Sequence, residues 1–259
     1  MDLDKIKFIG FSDKKLKKFL DKSNYIFWDW INRLKAKNKL QYIKIYGKDA
    51  VYFGKEFGRA QVFVKLENLY RGTITLRKKA VAIGVFVFSD DIYQLNVKQF
   101  RYPILDEAEE IVAGLIDAIK NSDLEKSIEE TIKKEVIEEL GIEPTSHIYK
   151  SLMESKPIFI KSLYPSIGDS SEEVFLYVLF LKAKKEELEH FCNKEAGNKE
   201  EKEYTKVSCI KGIENILNRD YIDAKSFIIQ LWLKTKYLEF KQSSFSNFED
   251  FIESLHKQN

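Results

Sequence analysis

Cysteine occurs only twice in these 259 residues, at Cys192 and Cys209. So few cysteines in so long a chain argue against a disulfide scaffold, and no C-x-x-C metal or redox pair is present. Both are expected as reduced, small apolar side chains. Charge of one sign is also lacking: 43 Lys and Arg stand against 41 Asp and Glu, a net +2. Acids and bases interleave, unlike the concentrated basic face of a nucleic-acid binder, so no nucleic-acid partner is expected. The one exception, Lys14 to Lys18, reads as the solvated face of a short helix. Long apolar runs are missing as well. Val81 to Phe88 and Val174 to Leu181 span eight residues each, whereas a membrane helix needs about 20. Both read as buried strands. Met1 to Phe19 has no apolar core of the signal-peptide kind, and the expectation is a cytoplasmic, soluble protein without a membrane partner. Histidine is scarce, and His147, His190 and His256 show no metal-like spacing.

What is present suffices for a sizeable core, with 44% hydrophobic and 14% aromatic residues. Residues 13–35 read as one or two amphipathic helices in which Phe27, Trp28 and Trp30 pack. Alternating segments at 41–45 and 61–65 predict antiparallel strands joined by glycine turns, with further strands at 72–77, 80–88 and 93–100. An Ala113-Gly114 turn then precedes an acidic helix. Strands are expected at 148–153, 158–163 and 174–181, a short extended piece at 207–210, and helices at 213–217 and 224–240. The stretch from Glu186 reads as polar, and residues 242–259 as either a docked helix or a disordered tail. Strands interrupted by one central helix and closed by others imply an α+β (α/β) fold with a mixed β-sheet between helices. The expected division is a helix plus antiparallel β lobe over 1–70, a main domain over 71–240 and a polar tail over 241–259.

The central helix is the richest segment: Lys133-Lys134-Glu135-Val136-Ile137-Glu138-Glu139-Leu140-Gly141-Ile142. Apolar Ile128, Ile132, Val136 and Leu140 recur every four residues. At about 100° per residue, Glu135 and Glu139 project within roughly 40° of one another beside this apolar stripe. Lys126 and Lys133 fall on the far side. Like charges at i, i+4 cost a few tenths of a kcal/mol on a bare helix, about 0.2–0.5, and more when partly desolvated. A divalent cation reverses that sign, and hard cations such as Mg²⁺ take carboxylate oxygens. Read without its surroundings, the same segment is an ordinary Glu/Lys-rich solvated helix.

The surroundings resemble the Nudix hydrolase family. Its signature runs Gly, five residues, Glu, seven residues, then Arg-Glu-apolar-x-Glu-Glu-x-Gly-apolar. Residues 134–142 match the second half with Lys134 for the Arg, and Gly114 fits the opening glycine. Six extra residues fall near 118–123, and Glu125 is the nearest counterpart of the first Glu, one position early. Asp123 or Ser122 is the expected helix cap. Val97-Lys98-Gln99-Phe100-Arg101, Glu110-Ile111-Val112-Ala113-Gly114, Tyr164 to Gly168 with Glu172-Glu173, and Glu203-Tyr204-Thr205-Lys206-Val207 are similar to segments of the ADP-ribose and ADP-sugar pyrophosphatase branch. The plant-type ADP-sugar diphosphatases carry a similarly stretched box.

The resemblance implies Mg²⁺-dependent hydrolysis of a nucleoside diphosphate sugar, with Mn²⁺ as an alternative ion. Glu135, Glu139 and Glu138 are then the metal ligands, joined by the Ala113 carbonyl, with Glu139 and Glu138 also in the catalytic set. Glu203 is the expected base, with Glu201 as runner-up, both within a charge run that also reads as solvated. Arg101, Glu172 and Glu173 are the expected substrate contacts, Arg101 reading alternatively as a surface ion pair. The family Arg is a planar fork for a carboxylate, which the point charge of Lys134 does not reproduce. A homodimer is expected, with the N-terminal strands reaching the partner. A non-catalytic Nudix-fold binding module and a UDP-sugar hydrolase are the competing readings.

Overall fold

The computed structural model describes residues 6–21, 24–36, 40–53, 56–66, 70–116, 123–197 and 204–256. The expected base candidates, Glu201 and Glu203, the alternative cap Ser122 and most of the six-residue insertion lie outside them. Within the described residues the chain forms mixed sheets and helices of an α+β fold, gathered into two compact units. The first comprises Met1–Ala80, Leu115–Ser127 and Leu163–Val174, the second Val81–Gly114, Ile128–Ser162 and Phe175–Asn259.

In the first unit, β1 (Ile6–Ile9), β2 (Leu40–Phe53), β3 (Glu56–Leu66) and β4 (Tyr70–Arg77) form a sheet in that order. β1 runs parallel to β2, and the other pairs are antiparallel. Gly47 lies inside β2. Helices α1 (Asp13–Phe19) and α2 (Tyr25–Ala36) supply the apolar side chains that meet the sheet. Phe19, Phe27, Ile31, Ile43, Ile45, Val62 and Leu76 are fully buried together. Trp28 and Trp30 pack at the edge of this core, and the Trp28 indole N–H donates to the Asp21 carbonyl at 3.1 Å. Their packing role holds as expected. Ser12 caps the basic helix α1.

The second sheet carries β5 (Ala80–Phe88), β6 (Ile92–Arg101), β7 (Asp106–Glu110), β8 (Val112–Leu115), β9 (Ile158–Leu163), β10 (Val174–Lys182), β11 (Glu195–Ala196) and β12 (Thr205–Lys211). Its order is β11-β12-β6-β5-β10-β9, with β7 on β6 and β8 on β5. β5 is buried along nearly all its length, which explains a sequence apolar at every position rather than alternating. The helices are α3 (Leu124–Leu140), α4 (His147–Glu154), α5 (Lys185–Phe191), α6 (Ile213–Leu217), α7 (Ala224–Gln242) and α8 (Phe248–His256).

Several expectations need correction. Residues 148–153 are helix α4, not strand: Ser146 accepts from the Tyr149 N–H as N-cap, and Ile148 and Leu152 bury one face at i, i+4 spacing. The stretch from Glu186 belongs to helix α5. Ala113 and Gly114 are not a turn; both sit within β8. Of the two readings of the tail the docked helix holds, with Phe251 and Ile252 of α8 buried and Phe251 ringed by Phe240, Phe245 and Phe248. The cysteines are not free: Cys192 and Cys209 form a disulfide with their Cα atoms 5.4 Å apart. Cys192 ends α5 and Cys209 lies on β12, so antiparallel chain reversal brings together residues that are 17 apart in sequence.

Candidate active site

The acidic helix begins where the Asp123 carboxylate accepts the Lys126 N–H at 3.0 Å, the cap expected for it. It stops at Gly141, whose φ of +60° is a left-handed conformation that suits glycine. There the Ile142 N–H reaches the Ile137 carbonyl at 3.0 Å and the Gly141 N–H reaches that of Glu138 at 3.3 Å. This paired capping pattern closes the helix end. Ile128, Thr131, Ile132, Val136, Glu139 and Leu140 form the buried face.

Glu135 and Glu139 converge on β8. A Cβ placed on Gly114 would meet the Glu135 carboxyl group and its Cγ, far inside the 3.0 Å that real Cβ contacts respect. Gly114 is therefore glycine because the Glu135 side chain takes the space above its Cα. One residue earlier, the Ala113 N–H donates to Glu139 Oε2 at 3.2 Å. Glu139 is only 5% exposed, whereas Glu135 and Glu138 are half-buried and Lys134 is exposed. Two carboxylates one helical turn apart are thus seated on two successive residues of one strand. Ala113 was expected to contribute its carbonyl; the contact seen here is made by its N–H.

The strand is anchored from the other side. Asp223 caps α7, accepting the Ser226 N–H at 3.0 Å and its hydroxyl at 2.7 Å. The buried Ser226 Oγ in turn accepts the Ile111 N–H at 3.0 Å, two residues before Ala113. Burial pushes the Asp223 carboxyl up, but Lys225 and Ser226 outweigh it and hold it below its usual range. Neither Asp223 nor Ser226 stood out in the sequence as a site residue; the D-x-x-S cap spacing was the available signal.

Arg101 forms a two-pronged pair with Glu110, Nε to Oε1 at 2.5 Å and Nη2 to Oε2 at 3.0 Å. Lys225 approaches the same carboxylate at 3.7 Å. Arg101 thus shows the ion-pair geometry that was its alternative reading. Its partner Glu110 is 6% exposed and was not foreseen in that role. Glu172 and Glu173 lie in the first unit. There Glu172 pairs with Arg77 at 3.2 Å and Glu173 with Lys79 at 2.8 Å. These pairs help hold the 166–171 segment along β4, where Thr75 exchanges backbone bonds with Asp169 and Ser171. Among the histidines, exposed His147 faces Glu187 and exposed His190 the Glu186 carbonyl.

Among the described residues no group of three or more His, Cys, Asp or Glu side chains is arranged to hold a metal ion. A concavity of about 470 Å³ in the second unit, bounded by Ser151, Glu154, Phe180, Lys182, Glu249 and Glu253, includes none of the α3 carboxylates that face β8. Among the described residues no helix is long and apolar enough to cross a membrane.

These features define an α+β protein with an acidic helix whose carboxylates are docked on a glycine-bearing strand. No family model matches the chain. Among curated proteins it is similar to Nudix hydrolase 14, chloroplastic, from Arabidopsis thaliana, at 27% identity over 235 residues, 83% of this chain and 71% of that protein.

Proposed function

We propose that the protein hydrolyses the diphosphate of a nucleoside diphosphate sugar, of the ADP-ribose or ADP-glucose type, to a nucleoside monophosphate and a sugar phosphate. The observation that carries this reading is the seating of the Glu135 and Glu139 carboxylates on Gly114 and Ala113. Such a pair is electrostatically costly in a half-buried place and is relieved by a hard dication. The donor chemistry fits Mg²⁺, or Mn²⁺ in its place, with Glu135 and Glu139 as ligands and Glu138 and the Ala113 carbonyl completing the protein's share. A divalent ion bound there would neutralise the diphosphate and lower the pKa of a bound water.

The chain's own residues do the positioning on which phosphoryl transfer depends. The Ala113 N–H fixes one Glu139 oxygen and so aims the other. The Asp223–Ser226–Ile111 relay holds the strand that receives both acids. Glu203, or Glu201 in its place, takes the proton of the attacking water. The water oxygen bonds to one phosphorus as the bridging P–O bond breaks. Arg101 would serve a phosphate by exchanging Glu110 for it; Glu172 and Glu173 keep the role of substrate contacts. The active form is proposed as a homodimer.

The test is release of nucleoside monophosphate from ADP-ribose, ADP-glucose and UDP-glucose with and without Mg²⁺, run beside Glu139→Gln. Turnover of an adenine sugar nucleotide that disappears in the variant supports the reading; preference for UDP-glucose moves the base assignment to uracil. One observation favours a second reading, a binding module of the same fold: Lys134 stands where the resemblance calls for an Arg fork. Ligand-induced thermal stabilisation without turnover would select it.

A further inference from the structure

The last turn of α3 is held by the β11–β12 hairpin. The Gly197 N–H donates to the Glu138 carbonyl at 3.1 Å, and the buried Thr205 hydroxyl donates to the Glu139 carbonyl at 3.1 Å. Lys194 Nζ reaches the Gly141 carbonyl at 3.0 Å and Glu143 at 3.1 Å. A cation at a helix C-terminus complements the carbonyl dipoles gathered there. Three of the carbonyls at this end are thus capped from outside the helix, two of them on the residues whose side chains make up the acidic site. The hairpin is itself closed at its base by the Cys192–Cys209 bond. Asn193 and Lys194 exchange backbone bonds with Val207 at 2.9 Å just inside that crosslink. Both cysteines are half-buried rather than enclosed in the core. A lone disulfide is not a multi-bridge scaffold, and one that a thiolate can attack is opened by exchange.

We propose that Cys192–Cys209 is a thiol-responsive clamp on the acidic helix, with Thr205 and Lys194 as its positioning residues. In the oxidised chain the closed hairpin holds the last turn of α3 and with it the Glu139 carboxylate at Ala113. A dithiol opens the clamp by exchange. One thiolate attacks a cysteine Sγ and breaks the S–S bond; the second thiol resolves the mixed disulfide. Cys192 and Cys209 leave as two thiols, and the reductant as its cyclic disulfide, with two electrons and two protons transferred. The hairpin then parts more readily from α3, and turnover slows through kcat rather than KM. That catalytic consequence rests on the hydrolase reading above; the clamp itself does not.

The experiment compares the full chain with and without dithiothreitol, beside the Cys192→Ser/Cys209→Ser double variant, by three readouts. Alkylation under denaturing conditions followed by intact mass is expected to add no label to the untreated chain and two after reduction. Amide exchange in peptides covering 138–142 and 194–197 is expected to rise about tenfold or more on reduction, as local opening becomes easier. The double variant should exchange like the reduced chain and ignore the dithiol. Should it fail to fold, the wild-type pair alone carries the comparison. Thr205→Val is expected to lower kcat in both redox states, and Thr205→Ser to restore it. Two free thiols in the untreated chain, or exchange unchanged by reduction, would overturn the proposal. Absence of turnover in the oxidised chain would sink the hydrolase reading instead, leaving exchange to decide the clamp.

Discussion

Replacing Gly114 with alanine separates the site's chemistry from the fold's stability. The added methyl would occupy the position now held by the Glu135 carboxyl group. An ordinary contact of 3.4 Å requires that group to withdraw by at least about an ångström. What must move is the far end of a flexible side chain, half-exposed on α3, so the protein has a cheap escape. Overpacking with such an outlet belongs at the low end of the usual range, about 1 kcal/mol, which lowers Tm by roughly 2–4 °C in a domain of this size. Activity has no such outlet. Displacing a positioned catalytic group by about an ångström costs on the order of a hundredfold, or about 2.7 kcal/mol of transition-state stabilisation. The assay is kcat/KM for Mg²⁺-dependent release of nucleoside monophosphate, paired with a thermal melt. Wild-type kcat/KM in Gly114→Ala would refute the assignment of Glu135 to the working site. A melt lowered by much more than about 4 °C would show that the carboxylate cannot step aside.

Three further outcomes follow from contacts away from the carboxylates. Asp223→Ala removes the α7 cap and the acceptor of the buried Ser226 hydroxyl; it should destabilise by about 1–2 kcal/mol, read from chemical denaturation. Glu109 is pushed up by burial, yet Ser208 and Arg219 hold it below the usual carboxylate value. A depressed folded pKa stabilises above the ordinary value and is lost as pH falls through the folded one, so stability should decline below about pH 5. In Arg219→Ala, the deficit of about 1 kcal/mol at pH 7, modest because Arg219 is 44% exposed, should shrink by pH 3; a deficit independent of pH would contradict the pairing. Tyr221, its phenol pushed up to about 12 chiefly by burial, accepts from Asn96 Nδ2 at 2.7 Å and donates to Gln94 Oε1 at 3.1 Å. Tyr221→Phe therefore leaves buried amides short of partners and should cost about 1–3 kcal/mol in a denaturation midpoint.

Much of the second unit was readable in advance because its elements are locally decisive. β9 and α6 fall where expected, and α3 follows from Ile128, Ile132, Val136 and Leu140 at four-residue spacing. The convergence of Glu135 and Glu139 was legible for the same reason, since it is a property of one helix. Failures cluster where the answer depends on another part of the chain. α4 is the local exception, its helix signalled by the Ser146 cap and the Ile148/Leu152 spacing. Ala113-Gly114 looked like a turn because a glycine signals either a bend or a close approach. Here it is an approach, made by a side chain 21 positions further on. The Arg101–Glu110 fork needed the β6–β7 register, and the Cys192–Cys209 bond needed α5 and β12 side by side; neither is carried by local pattern. The Ala113 N–H that the Glu139 carboxylate claims likewise depends on β8 and α3 lying together.

The most direct measurement is the rate of nucleoside monophosphate release from ADP-ribose and ADP-glucose against Mg²⁺ concentration, for wild type, Glu135→Gln and Glu139→Gln, each checked for native folding by melt. Saturable, Mg²⁺-dependent turnover is expected in the wild type, with a loss of about a hundredfold or more in each variant while the fold is kept. Wild-type rates in both variants, or no turnover by folded wild type at saturating Mg²⁺, would contradict this expectation.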